Sequence, residues 1–220
     1  MDPLVKEILD FGVSQKTLIS VLALPILASF VAFSRQIIGM RSLGIYLTLL
    51  LTYVFDALSL KYGILIFIFI LISGLFFRYL FKKIRILFLP RIAMILSGIS
   101  LSLFLLFLAG KYLQIEGLQI ISIFPILVVV LLMEKIISTM LEYGEKMAFL
   151  MTFETFILSL ICFFLLNWNF LQKVLLDWPI PVFLLTFLFN IFLGKWTGLR
   201  LFEYFRFKEL IDYLSEKEKK

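Results

Sequence analysis

The residues best placed to do chemistry in this chain are the few ionisable groups set inside or beside long apolar runs. Each would cost at least about 2.5–3.5 kcal/mol at mid-bilayer depth, so each needs a reason to be there. Glu154 lies one or two helical turns inside the apolar run 147–168. A lone carboxylate there needs a partner, and Arg35, Arg41 and Lys135 end on the same side. Three readings are open: an ion pair locking spans one, two, five and six, a substrate or proton site shaping an inner mouth, or an interfacial carboxylate without a partner. Glu134 and Lys135 end the run 118–133, and Asp56 lies near the outer end of the run 43–60. Pro25 and Pro125 interrupt runs one and five, which frees backbone carbonyls of the kind that mark sites in transporters and packing kinks elsewhere. Asn190 is expected to make an inter-helix hydrogen bond.

Other chemistry is excluded by composition. The chain has no histidine, which removes the commonest general base, zinc ligand and proton relay. Its single cysteine, Cys162, excludes internal disulfides. No Gly-rich phosphate loop, HExxH, GxSxG or cysteine–histidine pair occurs. No catalytic, cofactor-binding or metal-binding residue is therefore expected, and the chain is read as a non-enzyme.

The elements that position these residues are seven apolar stretches, at 17–34, 43–60, 62–77, 92–110, 118–133, 147–168 and 178–194. A bilayer core takes roughly 17–25 helical residues to cross, and several of these runs just reach that length. With 62% hydrophobic and 16% charged residues and a mean hydropathy of +1.08, a soluble fold could not hide the apolar surface. The runs do not alternate polar and apolar as a barrel strand would, so helices must satisfy the backbone. The expectation is an all-α polytopic membrane protein with seven transmembrane helices. Its parts are an outer-face N-terminal segment at 1–16, a transmembrane domain at 17–196 and a cytoplasmic amphipathic tail at 197–220. Residues 3–12 form an amphipathic helix in this reading, with Leu4, Val5, Ile8, Leu9 and Phe11 on one face.

Charge sets the orientation. With seven spans, five of the 21 Lys and Arg fall on the N-terminal side and sixteen on the other. The positive-inside rule then places the N-terminus outside and the C-terminus in the cytoplasm of an inner-membrane protein. It also accounts for the net charge of +6 without nucleic acid. The interior loop holding Arg78, Lys82, Lys83, Arg85 and Arg91 reads as a basic interfacial helix, either an anchor on anionic lipid or a docking surface. Thr152, Thr155, Ser159 and Cys162 make a stripe of small residues suited to close helix contact or to lining a lumen, and Ser97, Gly98, Ser100 and Ser102 make another. A short echo between 37–45 and 115–123, three spans apart, has the form of an inverted repeat.

Six stretches together resemble a known family: FSRQIIGMRSLGIY at 33–46, KYG at 61–63, LPR at 89–91, FPI at 124–126 followed by Glu134, TFET at 152–155, and GKWTGLRLFEYFRF at 194–207. That family is the seven-transmembrane domain usually fused to an inactive transglutaminase-like domain. The first and last stretches are the specific ones. The resemblance implies an outside N-terminus, because the fused domain precedes the helices on the periplasmic side; this chain is expected to depart from the pattern in lacking that domain, as a split partner, a degenerate copy or an excised domain. It also implies partners: an ATP-grasp-type ligase that joins amino acids by amide bonds, and a transglutaminase-like periplasmic protein. A fainter similarity points to the small membrane subunit of poly-gamma-glutamate synthesis. The expected function is a membrane subunit for making or exporting an amide-linked polymer or peptide. The alternatives are an envelope sensing subunit or a small secondary transporter, and the oligomeric state is open.

Overall fold

A computed structural model describes residues 3–84, 87–112, 114 and 122–196, and among them every regular element is a helix. They are α1 (Pro3–Asp10), α2 (Gln15–Phe33), a π-helical turn (Ser34–Ile38), α3 (Ile45–Phe81), α4 (Phe88–Tyr112), α5 (Ile123–Tyr143), α6 (Glu145–Leu166), α7 (Asn169–Asp177) and α8 (Pro179–Gly194). The protein is an all-α polytopic membrane protein. Two compact units divide it, one of residues 1–49 with 153–220 and the other of residues 50–152.

α3 is too long for one crossing. Its 37 residues would extend about 55 Å, against a core of about 30 Å. The chain breaks it at Ser59, whose φ of 65° and ψ of 147° are not helical. A Cβ on Gly63 would lie 3.2 Å from the Phe55 Cα. In a straight helix these residues would stand about 12 Å apart, so α3 is a helical hairpin with two arms and Gly63 admits the turn. The two arms therefore correspond to the second and third apolar runs.

The rest of the second unit packs through small residues, since lipid gives helices no hydrophobic reason to meet. A Cβ on Gly98 of α4 would fall 2.5–2.6 Å from the Phe77 ring on the second arm of α3. One on Gly74 would fall 2.6–2.9 Å from the Met133 side chain on α5. Of the span-four small residues only Gly98 is buried; Ser97 and Ser100 are exposed.

α5 corrects the expected boundary of span five. It runs on to Tyr143, so Glu134 and Lys135 sit near its middle, nine and eight residues short of its end, rather than closing it. Ile136, Ile137 and Met140 continue the buried stripe of Leu132 and Met133 past the charges, and the two ionic side chains point away from it, exposed within the chain. Pro125 is the third residue of α5, in a first turn whose amides have no intrahelical acceptor, so it starts this helix rather than interrupting it. Pro25 does lie inside α2, where it leaves the Val21 carbonyl without its usual donor.

In the first unit, Ser14 caps α2 by accepting the Thr17 N–H at 3.2 Å. α8 lies along α2. Asn190 donates to Ser29 Oγ at 2.7 Å, the Phe33 and Phe189 rings are 6.2 Å apart, and Gln36 donates to the Leu193 carbonyl at 2.9 Å. The two hydrogen bonds, Ser29 with Asn190 and Gln36 with Leu193, advance in the same direction along both helices, so α2 and α8 run in the same sense. Asn190 thus makes the expected inter-helix bond. Between two parallel spans the chain must cross an odd number of times; the two arms of α3 with α4, α5 and α6 make five. α7 meets α8 at 107° and packs against α2, and its Leu175 and Leu176 are buried. This short helix, between exposed Trp168 and Trp178, stands where a plain loop was expected.

Candidate functional site

Two groups of side chains carry the polar chemistry of the described residues, one in each unit. The first begins where α2 ends. The Ser34 carbonyl accepts from both Gly39 N–H (3.0 Å) and Met40 N–H (3.2 Å), closing the π-helical turn. Gly39 takes φ 95°, a left-handed conformation that favours glycine. The segment 40–44 that follows is irregular, and its amides need acceptors. α6 supplies them. Glu154 accepts a hydrogen bond from the Arg41 backbone N–H, and Thr155 Oγ1 accepts from the Leu43 N–H at 2.8 Å. Thr155 is 1% exposed, while Glu154 is half-buried. Ser42, between the two tethered amides, is buried, and its hydroxyl has no hydrogen-bond partner.

The carboxylate nominated from sequence is thus joined to Arg41 through the main chain. Arg35 and Arg41 present exposed residues on this segment, whereas Glu134 and Lys135 belong to the other unit. The Thr152, Thr155, Ser159 and Cys162 stripe is buried throughout, as close helix packing requires. Thr155 as a hydrogen-bond acceptor, and Ser42 as a buried residue beside it, escaped the sequence reading. The signal available was Thr155 immediately after Glu154, which puts two acceptors on adjacent positions of one helix.

The second group lies at one end of the second unit, where α3 and α5 finish and α6 starts. Arg78 is 18% exposed at its side chain, donates to Met140 Sδ at 2.8 Å and stands 3.3 Å from Glu145 Oε1. Lys82 approaches the same oxygen at 3.8 Å. A cavity of about 600 Å³ opens here, and Lys146 and Tyr79 complete its polar edge. A second hollow of about 140 Å³ lies between Arg78, Lys82 and Arg91. Lys83 is exposed in the turn after α3, and Arg85 lies outside the described residues. The basic interfacial helix expected over this loop is not what forms at its described ends. α3 runs to Phe81, a turn follows through Ile84, and α4 already begins at Phe88. Glu145 and Lys146, the first residues of α6, were not nominated from sequence. No group of three or more potential metal ligands occurs among the described residues.

A helical membrane domain with this span pattern has a counterpart among protein families. The model of a family described as seven transmembrane helices usually fused to an inactive transglutaminase matches residues 6–211, and the chain belongs to that family. No curated protein and no solved structure matches it. Two of the stretches that carried the resemblance, 33–46 and 152–155, are the two that the Glu154 and Thr155 hydrogen bonds tie together. The last stretch beyond Trp196, with the whole 197–220 tail, and most of the 115–123 half of the internal echo lie outside the described residues.

Proposed function

We propose that this chain is a non-enzymatic inner-membrane subunit that works with a cytoplasmic ATP-grasp-type ligase in making or exporting an amide-linked amino-acid polymer or peptide. The observation that carries this reading is the crowding of cations at one end of the second unit. Arg78, Lys82, Lys146 and Arg91 line two adjoining hollows, with Glu145 the only carboxylate among the described residues that line them. Such a surface suits an acidic partner or product. The count of five basic residues on one side against sixteen on the other, the mid-helix Lys135 among them, supports a cytoplasmic position for that surface and an outside N-terminus. The parallel run of α2 and α8 supports termini on opposite sides.

In this account Arg78, Lys82, Lys83, Arg85 and Arg91 dock the ligase. Arg35 and Arg41 shape an inner mouth, and Glu154 holds their segment in place. A transglutaminase-like partner would meet the outer face. The test is isolation of the full chain from its native membrane with mild crosslinking and mass spectrometry. A ligase is expected among the captured proteins, and its capture should fall when Arg78, Lys83 and Arg91 are changed to Gln together. Capture of no ligase, with envelope polymers unchanged when the chain is removed, overturns the proposal. Unchanged product export from a folded Arg35→Gln, Arg41→Gln variant would remove the mouth assignment alone.

A further inference from the structure

From the cavity at the end of the second unit we infer a binding site for the headgroup of an anionic phospholipid, a phosphate ester carrying apolar chains. The site stands apart from the ligase reading, because it needs no protein partner.

Its lining is sorted by depth. Leu75 comes one helical turn before Arg78, and Phe149 one turn after Lys146, so both lie nearer the middle of their helices than the cations do. Met140, whose sulfur accepts from Arg78, adds apolar surface beside the charged edge. Arg78, Lys82 and Lys146 form the charged edge, and Tyr79 also lines the cavity. A phospholipid presents the same order, phosphate above hydrocarbon. A soluble anion would have no use for the apolar wall, and a greasy molecule without charge no use for the edge.

The charge balance favours an anion. Arg78 and Lys82 share a single Glu145 oxygen, at 3.3 and 3.8 Å. Three cations against one carboxylate leave a lining charge of about +2, and Arg91 lies beyond the Arg78–Lys82 ridge in the smaller hollow. The cavity also opens at the start of α6, a 22-residue helix whose N-terminal dipole favours negative charge. Arg78 is held in position by Glu145 and Met140, so its planar fork is largely ordered before any phosphate arrives. At about 600 Å³ the space falls in the range of small-molecule sites.

The test is equilibrium binding of radiolabelled dioctanoyl phosphatidate to the full chain in a neutral detergent. Saturable binding is expected. Lys146→Gln and Arg78→Gln together should weaken it by about tenfold or more, the loss of two charge-assisted contacts. Lys83→Gln removes a charge from the same end without touching the lining, and should change the affinity by less than about twofold. Lys146→Gln alone leaves the Glu145 pairings intact and gives the same ranking if the double variant fails to fold. Dioctanoylglycerol and excess inorganic phosphate should each compete poorly. Equal losses in Lys83→Gln and Lys146→Gln would mean bulk electrostatic attraction and overturn the site. Full competition by inorganic phosphate would show a free-anion site, and full competition by dioctanoylglycerol a merely apolar hollow; either overturns the inference. Loss of ligase capture with lipid binding intact, or the reverse, separates this site from the function proposed above.

Discussion

Removing the acceptors that α6 offers to segment 39–44 should loosen the first unit by a calculable amount. Glu154→Ala deletes the carboxylate that receives the Arg41 N–H. A hydrogen bond to a charged group contributes about 1.5–3 kcal/mol, and the half exposure of Glu154 places the loss near the lower figure. Thr155→Val keeps the shape but removes the hydroxyl 2.8 Å from the Leu43 N–H. An amide left unpaired in a buried setting costs about 1–3 kcal/mol. A chain of this size loses roughly 2–4 °C of melting temperature per kcal/mol, so Glu154→Ala should melt about 3–6 °C lower and Thr155→Val about 2–12 °C lower. Both bonds hold the same short segment, so the double variant should cost less than the two losses added. Glu154→Gln retains an oxygen acceptor and should lose about half as much. The lone Cys162, 0% exposed on the same helix, reports the opening directly. Heating the detergent-solubilised protein with a thiol-reactive dye gives the midpoint. If Glu154→Ala and Thr155→Val both keep it within about 1 °C of the parent, the tether is not what orders this segment.

Two further outcomes follow from the packing. Gly98→Ala should destabilise by about 1–3 kcal/mol, because the new methyl meets the Phe77 ring and α3 must shift. Gly74→Ala should cost less, because Met133 can rearrange; circular-dichroism melts in detergent would show the order, and a reversed order would refute the packing described. Pro25→Ala should stabilise by about 1 kcal/mol or more, since it restores a donor to the Val21 carbonyl inside α2. Pro125→Ala, in the first turn of α5, should change stability by less than about 0.5 kcal/mol. Equal effects from the two prolines would contradict their placement.

Hydropathy made the membrane class and most spans legible, because a run of apolar residues long enough to cross lipid has few alternatives. Even the α3 hairpin was visible as a boundary: the runs end and resume around Ser59, Leu60 and Lys61, where the backbone turns. The end of span five was not. Glu134 and Lys135 look like a terminus when hydropathy is averaged, but helical spacing carries the buried stripe from Met133 through Ile136 to Met140, past both charges. α7 was missed because Gln172 and Lys173 interrupt a stretch too short and polar to register as a span, although Leu171, Leu175 and Leu176 recur at helical spacing. Glu154 was found from the cost of its charge, yet its partner could not be read from side-chain types, since the donor is a main-chain amide. The cavity at the α3–α5–α6 ends joins residues about 60–70 positions apart, a proximity that composition does not encode.

The central claim is a seven-span bundle with its cationic end in the cytoplasm. The most direct measurement is labelling of single cysteines by a membrane-impermeant maleimide, in a Cys162→Ser background. Glu7→Cys and Lys173→Cys should react in intact cells. Lys83→Cys and Lys146→Cys should react only after permeabilisation. Lys173→Cys and Lys83→Cys reacting from the same side would contradict the account.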